Sequence, residues 1–168
     1  MDERDAAKWD AAQEGAELAR EGHVDEAIED LERLCIEEPH NEYAFFFLGS
    51  AHYEKQGFDK ALKAYVTALE LHPTYLGAML GAAHTLRLMG RTDQAFRMAK
   101  QAEARAADDS DVAYLLGILH FQVGETAAAT QYLEKVAAAR PEVEVALEVE
   151  GMLQILRGEV VASDDEDA

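Results

Sequence analysis

The sequence predicts an all-α fold of repeated helix pairs, because small residues keep a fixed period and the composition favours helices. Two columns of small residues recur every 34 residues. The first column is Gly15, Gly49, Ala83, Gly117 and Gly151. The second is Ala27, Ala61, Ala95 and Ala129. A fixed period of this length is the signature of stacked helical or strand units. Ala, Leu and Glu dominate the 168 residues and only three prolines occur, so the units are predicted to be helical.

Each unit is predicted to contain a first helix, a turn and a second helix. The first helix carries the Gly15 column where another helix must approach closely, and the second packs the Ala27 column against it. Glycine can adopt backbone angles that other residues avoid. It marks the turns at Gly22, Gly57, Gly90 and Gly124, although Gly57 comes one residue late in the period. Because the residue before proline resists the helical region, proline is predicted to end the second helix. This column is Pro39, Pro73 and Pro141, with Ala107 in the third unit.

These spacings resemble the tetratricopeptide repeat (TPR) family, whose unit has small residues at its eighth and twentieth positions and proline at its thirty-second. The second unit shows the resemblance best, in Phe45-Phe46-Phe47-Leu48-Gly49 and in His72-Pro73. The resemblance implies a right-handed α-solenoid of four repeats followed by a capping helix. The predicted boundaries are 8–41, 42–75, 76–109 and 110–143 for the repeats and 144–158 for the capping helix. Residues 1–7 are predicted to be a polar lead-in, and residues 159–168 an acidic, disordered tail.

The formal net charge of −19 limits the classes of partner. Such an acidic surface repels nucleic-acid phosphates and anionic membranes, so the predicted partner is neither nucleic acid nor membrane. The N-terminus lacks a basic stretch followed by an apolar run, so no secretory signal is predicted. The lone cysteine, Cys35, excludes an internal disulfide and suits a reducing compartment. A cytoplasmic protein is therefore predicted.

The resemblance implies that one face of each first helix lines the inner wall of the solenoid, where a partner would bind. The candidate partner-binding residues on this wall are Trp9, Tyr43, Phe46, Ser50, Tyr53, Leu80, His84, Arg87, Tyr114, Ile118, Phe121 and Met152. Aromatic side chains dominate peptide-binding hot spots. The predicted ligand is therefore an extended or helical segment of another protein, which Arg87 and His84 would orient. Each aromatic residue could equally belong to the core, as is predicted for Phe45, Leu48, Tyr65, Leu116 and Leu133.

No catalytic or metal-binding pattern is found in the sequence. None of the six histidines shares a metal-ligand spacing with another histidine, Cys35 or a carboxylate on one helical face. The glycines occur singly, without the clustered loop that holds phosphate. No cofactor and no enzymatic activity are therefore predicted.

Three functions remain open on the sequence. The leading one is a protein-interaction module, an adaptor or scaffold that holds a partner peptide in an aromatic groove. A second is a dedicated chaperone, since small TPR chaperones of type III secretion systems resemble the Phe46-Phe47-Leu48-Gly49 stretch. A third is a structural protein that assembles into homo-oligomers.

Overall fold

The computed structural model describes residues 3–159, and nine α-helices account for most of this range. They are α1 (Glu3–Arg20), α2 (Val24–Glu37), α3 (Glu42–Glu54), α4 (Phe58–Leu71), α5 (Leu76–Leu88), α6 (Thr92–Arg105), α7 (Ser110–Gln122), α8 (Thr126–Ala138) and α9 (Val143–Leu156). The described range contains no strand, so the all-α prediction is confirmed. Residues 160–168, which hold most of the predicted acidic tail, lie outside it. None of the nine helices combines the length and the apolar character needed to cross a bilayer.

The chain divides into two compact units. The first, Met1–Arg105, contains the consecutive pairs α1/α2, α3/α4 and α5/α6. Within it, first helices also contact one another, α1 against α3 and α3 against α5. The second unit, Ala106–Ala168, contains the pair α7/α8 and the helix α9, which packs against α8. Helix α1 begins at Glu3, so part of the predicted lead-in belongs to the first helix.

Three glycines of the small-residue column, Gly15, Gly49 and Gly117, lie where paired helices approach closely. A Cβ atom added to Gly15 would stand 2.5 Å from Leu31 Cγ, and one added to Gly117 would stand 2.8 Å from Leu133 Cδ2. In the second pair, the Tyr65 ring would lie 2.8 Å from a Cβ on Gly49 and 2.5 Å from one on Gly81. Because protein interiors are close-packed, a methyl group at these positions has no room.

The turn of the second helix pair corrects the sequence prediction. Gly22, Gly90 and Gly124 have positive φ angles of 88°, 72° and 76°, as expected. In the second pair the positive φ, 59°, belongs to Gln56. Gly57 has a φ of −79° and is instead the N-cap of α4. The backbone of this turn therefore keeps the 34-residue period. Only the glycine is displaced, by one residue.

Most residues predicted to form the core are buried. Leu48, Tyr65, Leu116 and Leu133 are at most 8% exposed. Phe45 differs, because it is only partly buried and packs against the edge of the Tyr65 cluster. In the second unit, Leu133 and Val136 of α8 pack against Val149 and Leu153 of α9. Helix α9 thus covers the apolar face of α8.

A polar network joins the start of α3 to α1. Asn41, 1% exposed, is the N-cap, and its side-chain oxygen accepts hydrogen bonds from the backbone nitrogens of Tyr43 and Ala44 at 3.1 Å each. Its amide nitrogen donates to the carbonyl of Lys8 at 2.9 Å. Lys8 Nζ in turn donates to Glu42 Oε2 at 2.7 Å. This network sets the position of α1 relative to α3.

Candidate partner-binding site

Five half-buried aromatic residues meet in the first unit, and we call them the aromatic cluster: Trp9, Tyr43, Phe46, Phe47 and Tyr75. The Trp9 ring lies 5.3 Å, between centroids, from the rings of both Tyr43 and Phe47. The Phe46 ring lies 4.9 Å from Tyr75 and 5.2 Å from Phe47. These separations and tilted orientations are those that aromatic pairs prefer. The cluster is therefore a packed but partly accessible aromatic surface.

Helix periodicity explains why these rings come together. Tyr43, Phe46 and Phe47 follow a three- and four-residue spacing on α3, so they project from neighbouring positions on one side of the helix. Trp9 approaches from α1, and Tyr75 lies at the N-cap of α5. The first helices of two consecutive repeats and the N-cap of the next first helix thus contribute to one surface.

A pocket of about 470 Å³ opens between α1 and α3, next to the aromatic cluster. We call it the α1–α3 pocket. It is lined by Ala16, Ala19, Arg20, Phe46, Phe47, Ser50, Ala51 and Glu54. Alanine side chains on α1 leave space that the aromatic rings on α3 border. A mostly apolar cleft of this size with a few polar groups is characteristic of ligand sites.

The polar groups of the α1–α3 pocket differ in their freedom to bind. Ser50 Oγ donates to the Phe46 carbonyl at 3.2 Å and accepts from the Tyr65 hydroxyl at 3.2 Å, so Ser50 is held in place. Arg20 and Glu54 are exposed, and neither forms an ion pair within residues 3–159. One cation and one anion at the pocket are therefore available to a ligand with polar groups.

The predicted site residues on α5 do not line the α1–α3 pocket. Leu80, His84 and Arg87 are all partly buried. Burial lowers the pKa of His84 to about 4, and the nearby charge of Arg87 adds to this effect, so His84 is neutral near pH 7. Arg87 Nε is buried without a hydrogen-bond partner among the described residues. Tyr53, predicted to share the wall, packs on Phe58 with ring centroids 5.8 Å apart.

The four candidate residues of the second unit have mixed environments. The Tyr114 hydroxyl donates to Glu148 Oε2 at 2.5 Å, which links α7 to α9. Tyr114 and Met152 both pack against the core cluster of that unit. Phe121 is partly buried. Ile118 is 6% exposed, so it contributes to packing and offers little surface to a ligand.

Sequence reasoning missed four residues of this site, Phe47, Tyr75, Arg20 and Glu54. The run Phe45-Phe46-Phe47 did contain a signal for Phe47. Successive helical residues point about 100° apart, so these three rings cannot all share one face and must be assigned to faces one by one. Tyr75 directly precedes α5, outside the helical positions that were assigned to the wall. Arg20 and Glu54 lie near the C-terminal ends of α1 and α3, and nothing in the repeat pattern distinguishes them.

Residues 3–159 contain no group of three or more histidine, cysteine, aspartate or glutamate side chains placed to hold a metal ion. Cys35 is partly buried on α2. Burial, followed by the charge of Glu32, raises the pKa of its thiol to about 12. Near neutral pH the sulfur is protonated, which makes it a poor nucleophile and a poor metal ligand.

Comparison with known proteins adds family and fold relationships. A family model described as tetratricopeptide repeat matches residues 54–119 and 86–148, and a second of the same description matches residues 12–75. Anaphase-promoting complex subunit 7 of Arabidopsis thaliana is 30% identical over 114 residues. That alignment covers 67% of this chain but only 19% of the relative, so this chain corresponds to about a fifth of that protein.

Solved structures of similar fold come from several bacteria. A MamA fragment from Desulfovibrio magneticus RS-1 has a TM-score of 0.75 at 18% identity, covering 95% of this chain and 86% of that one. A thermophilic TPR protein from Thermus thermophilus has a TM-score of 0.72 at 21% identity, covering 90% of this chain and 82% of that one. A TPR protein from Parabacteroides merdae has a TM-score of 0.71 at 19% identity, covering 91% of this chain and 61% of that one. These similarities confirm the predicted class, an all-α solenoid of helix-turn-helix repeats.

Proposed function

Because this chain belongs to the tetratricopeptide repeat family, whose members generally mediate protein–protein interactions, we propose that it is an adaptor or scaffold that binds a partner peptide at the α1–α3 pocket. The bound segment carries an apolar side chain that enters the pocket beside Phe46 and Phe47. Its polar groups meet Arg20 and Glu54 at the same pocket. The remainder of the segment runs along the aromatic cluster.

The observation that carries this proposal is the accessible aromatic surface next to an apolar pocket. Large rigid aromatic side chains bury much area at a low entropy cost, which makes them frequent binding hot spots. Single exposed apolar residues are ordinary on protein surfaces, but a contiguous set that borders a cleft marks an interaction site. The unpaired Arg20 and Glu54 orient the bound peptide, because polar groups at its two ends contact these two charges.

Affinity capture tests this proposal. The full chain, as wild type and as Phe46→Ala, is immobilised and exposed to lysate of the source organism, and retained proteins are quantified by mass spectrometry. Loss of the Phe46 ring is expected to reduce capture of the specific partner at least tenfold. The matched control is Phe58→Ala, which removes a ring on α4 that does not line the pocket. Equal capture by wild type and Phe46→Ala, with both variants folded, would reject the pocket as the binding site.

The cytoplasmic location and the exclusion of nucleic acid and membranes belong to the same proposal. They rest on the charge of −19 and the single cysteine. Cell fractionation with an antibody against the chain tests the location. Electrophoretic mobility and vesicle-sedimentation assays at about 150 mM salt test the other two, and binding in either assay would remove that exclusion.

Self-assembly is the second candidate function, and one observation favours it. Val143 and Leu147 lie one turn apart on α9 and are 75% and 70% exposed. Apolar side chains that adjoin on a helix surface can pack against a second copy. Sedimentation velocity over a hundredfold concentration range tests this candidate. A constant monomeric mass would exclude it, and Leu147→Lys would abolish assembly if this face is responsible. The chaperone alternative is distinguished by whether the captured partner aggregates when this chain is absent.

A further inference from the structure

A second pocket, of about 310 Å³, lies between α2, α3 and α4. We call it the α2–α4 pocket. Leu48, His52 and Ala64 are buried at it, and Phe45 is half-buried. The exposed side chains of Glu32, Lys60 and Lys63 also line it, together with Thr67. It shares no residue with the α1–α3 pocket.

Repeat equivalence explains why this pocket exists. His52 and His120 are separated by two periods of 34 residues, as are Ala64 and Tyr132. In the fourth repeat the Tyr132 ring stacks on the His120 ring, with centroids 5.5 Å apart and planes within 6°. The second repeat has the same imidazole but only a methyl group at the stacking position. The second repeat also has Phe45 where the fourth has Ala113, yet a pocket remains open beside His52 and Ala64.

The imidazole at this pocket is available to a ligand. His52 is 7% exposed, and its ring forms no hydrogen bond with any residue in 3–159. Its Nε2 lies 3.7 Å from Glu32 Oε1, which is beyond hydrogen-bond distance. Burial, followed by the charge of Lys60, lowers the pKa of His52, while Glu32 opposes this shift. The ring is thus neutral near pH 7, and it lines the α2–α4 pocket.

The charge at the pocket is opposite to that of the whole chain. Lys60 and Lys63 form no ion pair within the described residues, although the chain carries a net charge of −19. The equivalent positions of the fourth repeat are Ala128 and Gln131, so these two lysines are absent from the repeat in which the pocket is filled. With Glu32, the charged groups at the pocket sum to +1.

We infer that the α2–α4 pocket binds an aromatic side chain flanked by acidic residues in a segment of a partner protein. The aromatic ring stacks on His52 as Tyr132 stacks on His120, and it contacts Phe45, Leu48 and Ala64. The flanking carboxylates pair with Lys60 and Lys63, which attract an acidic segment that the remainder of this surface repels. This site is separate from the α1–α3 pocket, so the chain can hold two segments at once.

A peptide titration of the full chain tests this inference. The probe is acetyl-Asp-Glu-Phe-Glu-Asp-amide, and the readout is the set of histidine ring signals in proton–carbon NMR spectra. We expect the His52 signals to shift on addition of the probe. The dissociation constant should rise at least tenfold when alanine replaces the phenylalanine of the probe.

Two variants of the α2–α4 pocket and one control variant decide between outcomes. Ala64→Tyr places in the second repeat the ring that the fourth repeat has, and it should abolish the His52 shift. Lys60→Gln/Lys63→Gln changes only exposed side chains, so it should fold and weaken binding at least tenfold. Phe46→Ala, in the α1–α3 pocket, should bind the probe like wild type. Absence of a His52 shift at millimolar probe would overturn the inference, as would unchanged binding by Lys60→Gln/Lys63→Gln. Concentration-dependent His52 shifts without probe would assign the pocket to a second copy of the chain instead.

Discussion

At the residue scale, identical positions of the repeat differ in their tolerance of one added methyl group. Gly49 lies against the Cδ1–Cε1 edge of the Tyr65 ring, and Gly81 of α5 lies against its Cζ end, so two helices confine this ring. Gly151 occupies the same repeat position in α9, where no atom lies within 4 Å of an added Cβ. Gly49 is therefore needed for packing, whereas Gly151 keeps the period without that requirement.

Replacing each of these glycines with alanine should have opposite effects on stability. Gly49→Ala forces the Tyr65 ring to move and should lower the free energy of unfolding by about 1–3 kcal/mol, the usual cost of overpacking. Gly151→Ala should raise it by about 0.5–1 kcal/mol, because alanine favours a helix more than glycine does. Urea denaturation followed by circular dichroism measures both. Equal destabilisation by the two substitutions would contradict this assignment of their roles.

His84 should make stability depend on pH. Its pKa is about 4 in the folded chain and 6.5 ordinarily, so between these values the unfolded chain binds more protons. The free energy of unfolding therefore falls as pH decreases from 6.5 towards 4, and His84 has no effect well above 6.5. From pH 7 to pH 5 its share of the loss should be about 1–2 kcal/mol.

Denaturation of wild type and His84→Gln at pH 7 and pH 5 isolates this share. The variant should lose less stability over the interval, whatever its stability at pH 7. An equal loss in both proteins would show that His84 does not carry the effect.

At the scale of the element, the turn between α3 and α4 shows where sequence reasoning reached its limit. The position of Gly57 indicated a turn, and a turn is present, but the left-handed residue is Gln56. The helix ends follow the 34-residue period, and that period places the positive φ at residue 56 whatever side chain stands there. Residue type therefore pointed to position 57, whereas the period of Gly22, Gly90 and Gly124 points to position 56, where the positive φ lies.

Gln56→Gly should relieve this backbone strain. A left-handed angle costs a residue with a Cβ about 1–2 kcal/mol, and glycine offsets part of the gain by its greater freedom when unfolded. We expect the melting temperature to rise by a few degrees, corresponding to about 0.5–1 kcal/mol. Gln101→Gly, an exposed substitution inside α6, is the control and should lower it. A lower melting temperature for Gln56→Gly would contradict the strain.

The predicted wall of first helices was informative for α3 and less so elsewhere. Trp9, Tyr43 and Phe46 belong to one cluster of ring contacts between α1, α3 and the start of α5. Ile118 occupies on α7 the register position that Ser50 occupies on α3, also predicted to line the wall, but it is buried. The register specifies the direction in which a side chain points from its helix. Whether that side chain is buried depends on the side chains of neighbouring helices, and their distances cannot be obtained from one sequence.

At the scale of the whole molecule, period and charge carried most of what the sequence could predict. The 34-residue period depends on backbone geometry shared by every repeat, so it predicted the fold class and most helix positions. The α2–α4 pocket includes a departure from the repeat, Ala64 where the fourth repeat has Tyr132. The cavity that such a departure leaves becomes visible only when the side chains around it are placed.

Site-specific photocrosslinking tests the central claim, that a partner binds in the α1–α3 pocket, most directly. The photoreactive amino acid p-benzoylphenylalanine is placed at Ala19, which lines this pocket, and separately at Ala104, an exposed residue of α6 that lines neither pocket. Irradiation in cells followed by mass spectrometry should yield a partner crosslink from position 19 and none from position 104. Crosslinks of equal yield from both positions, or from position 104 alone, would contradict binding at the α1–α3 pocket.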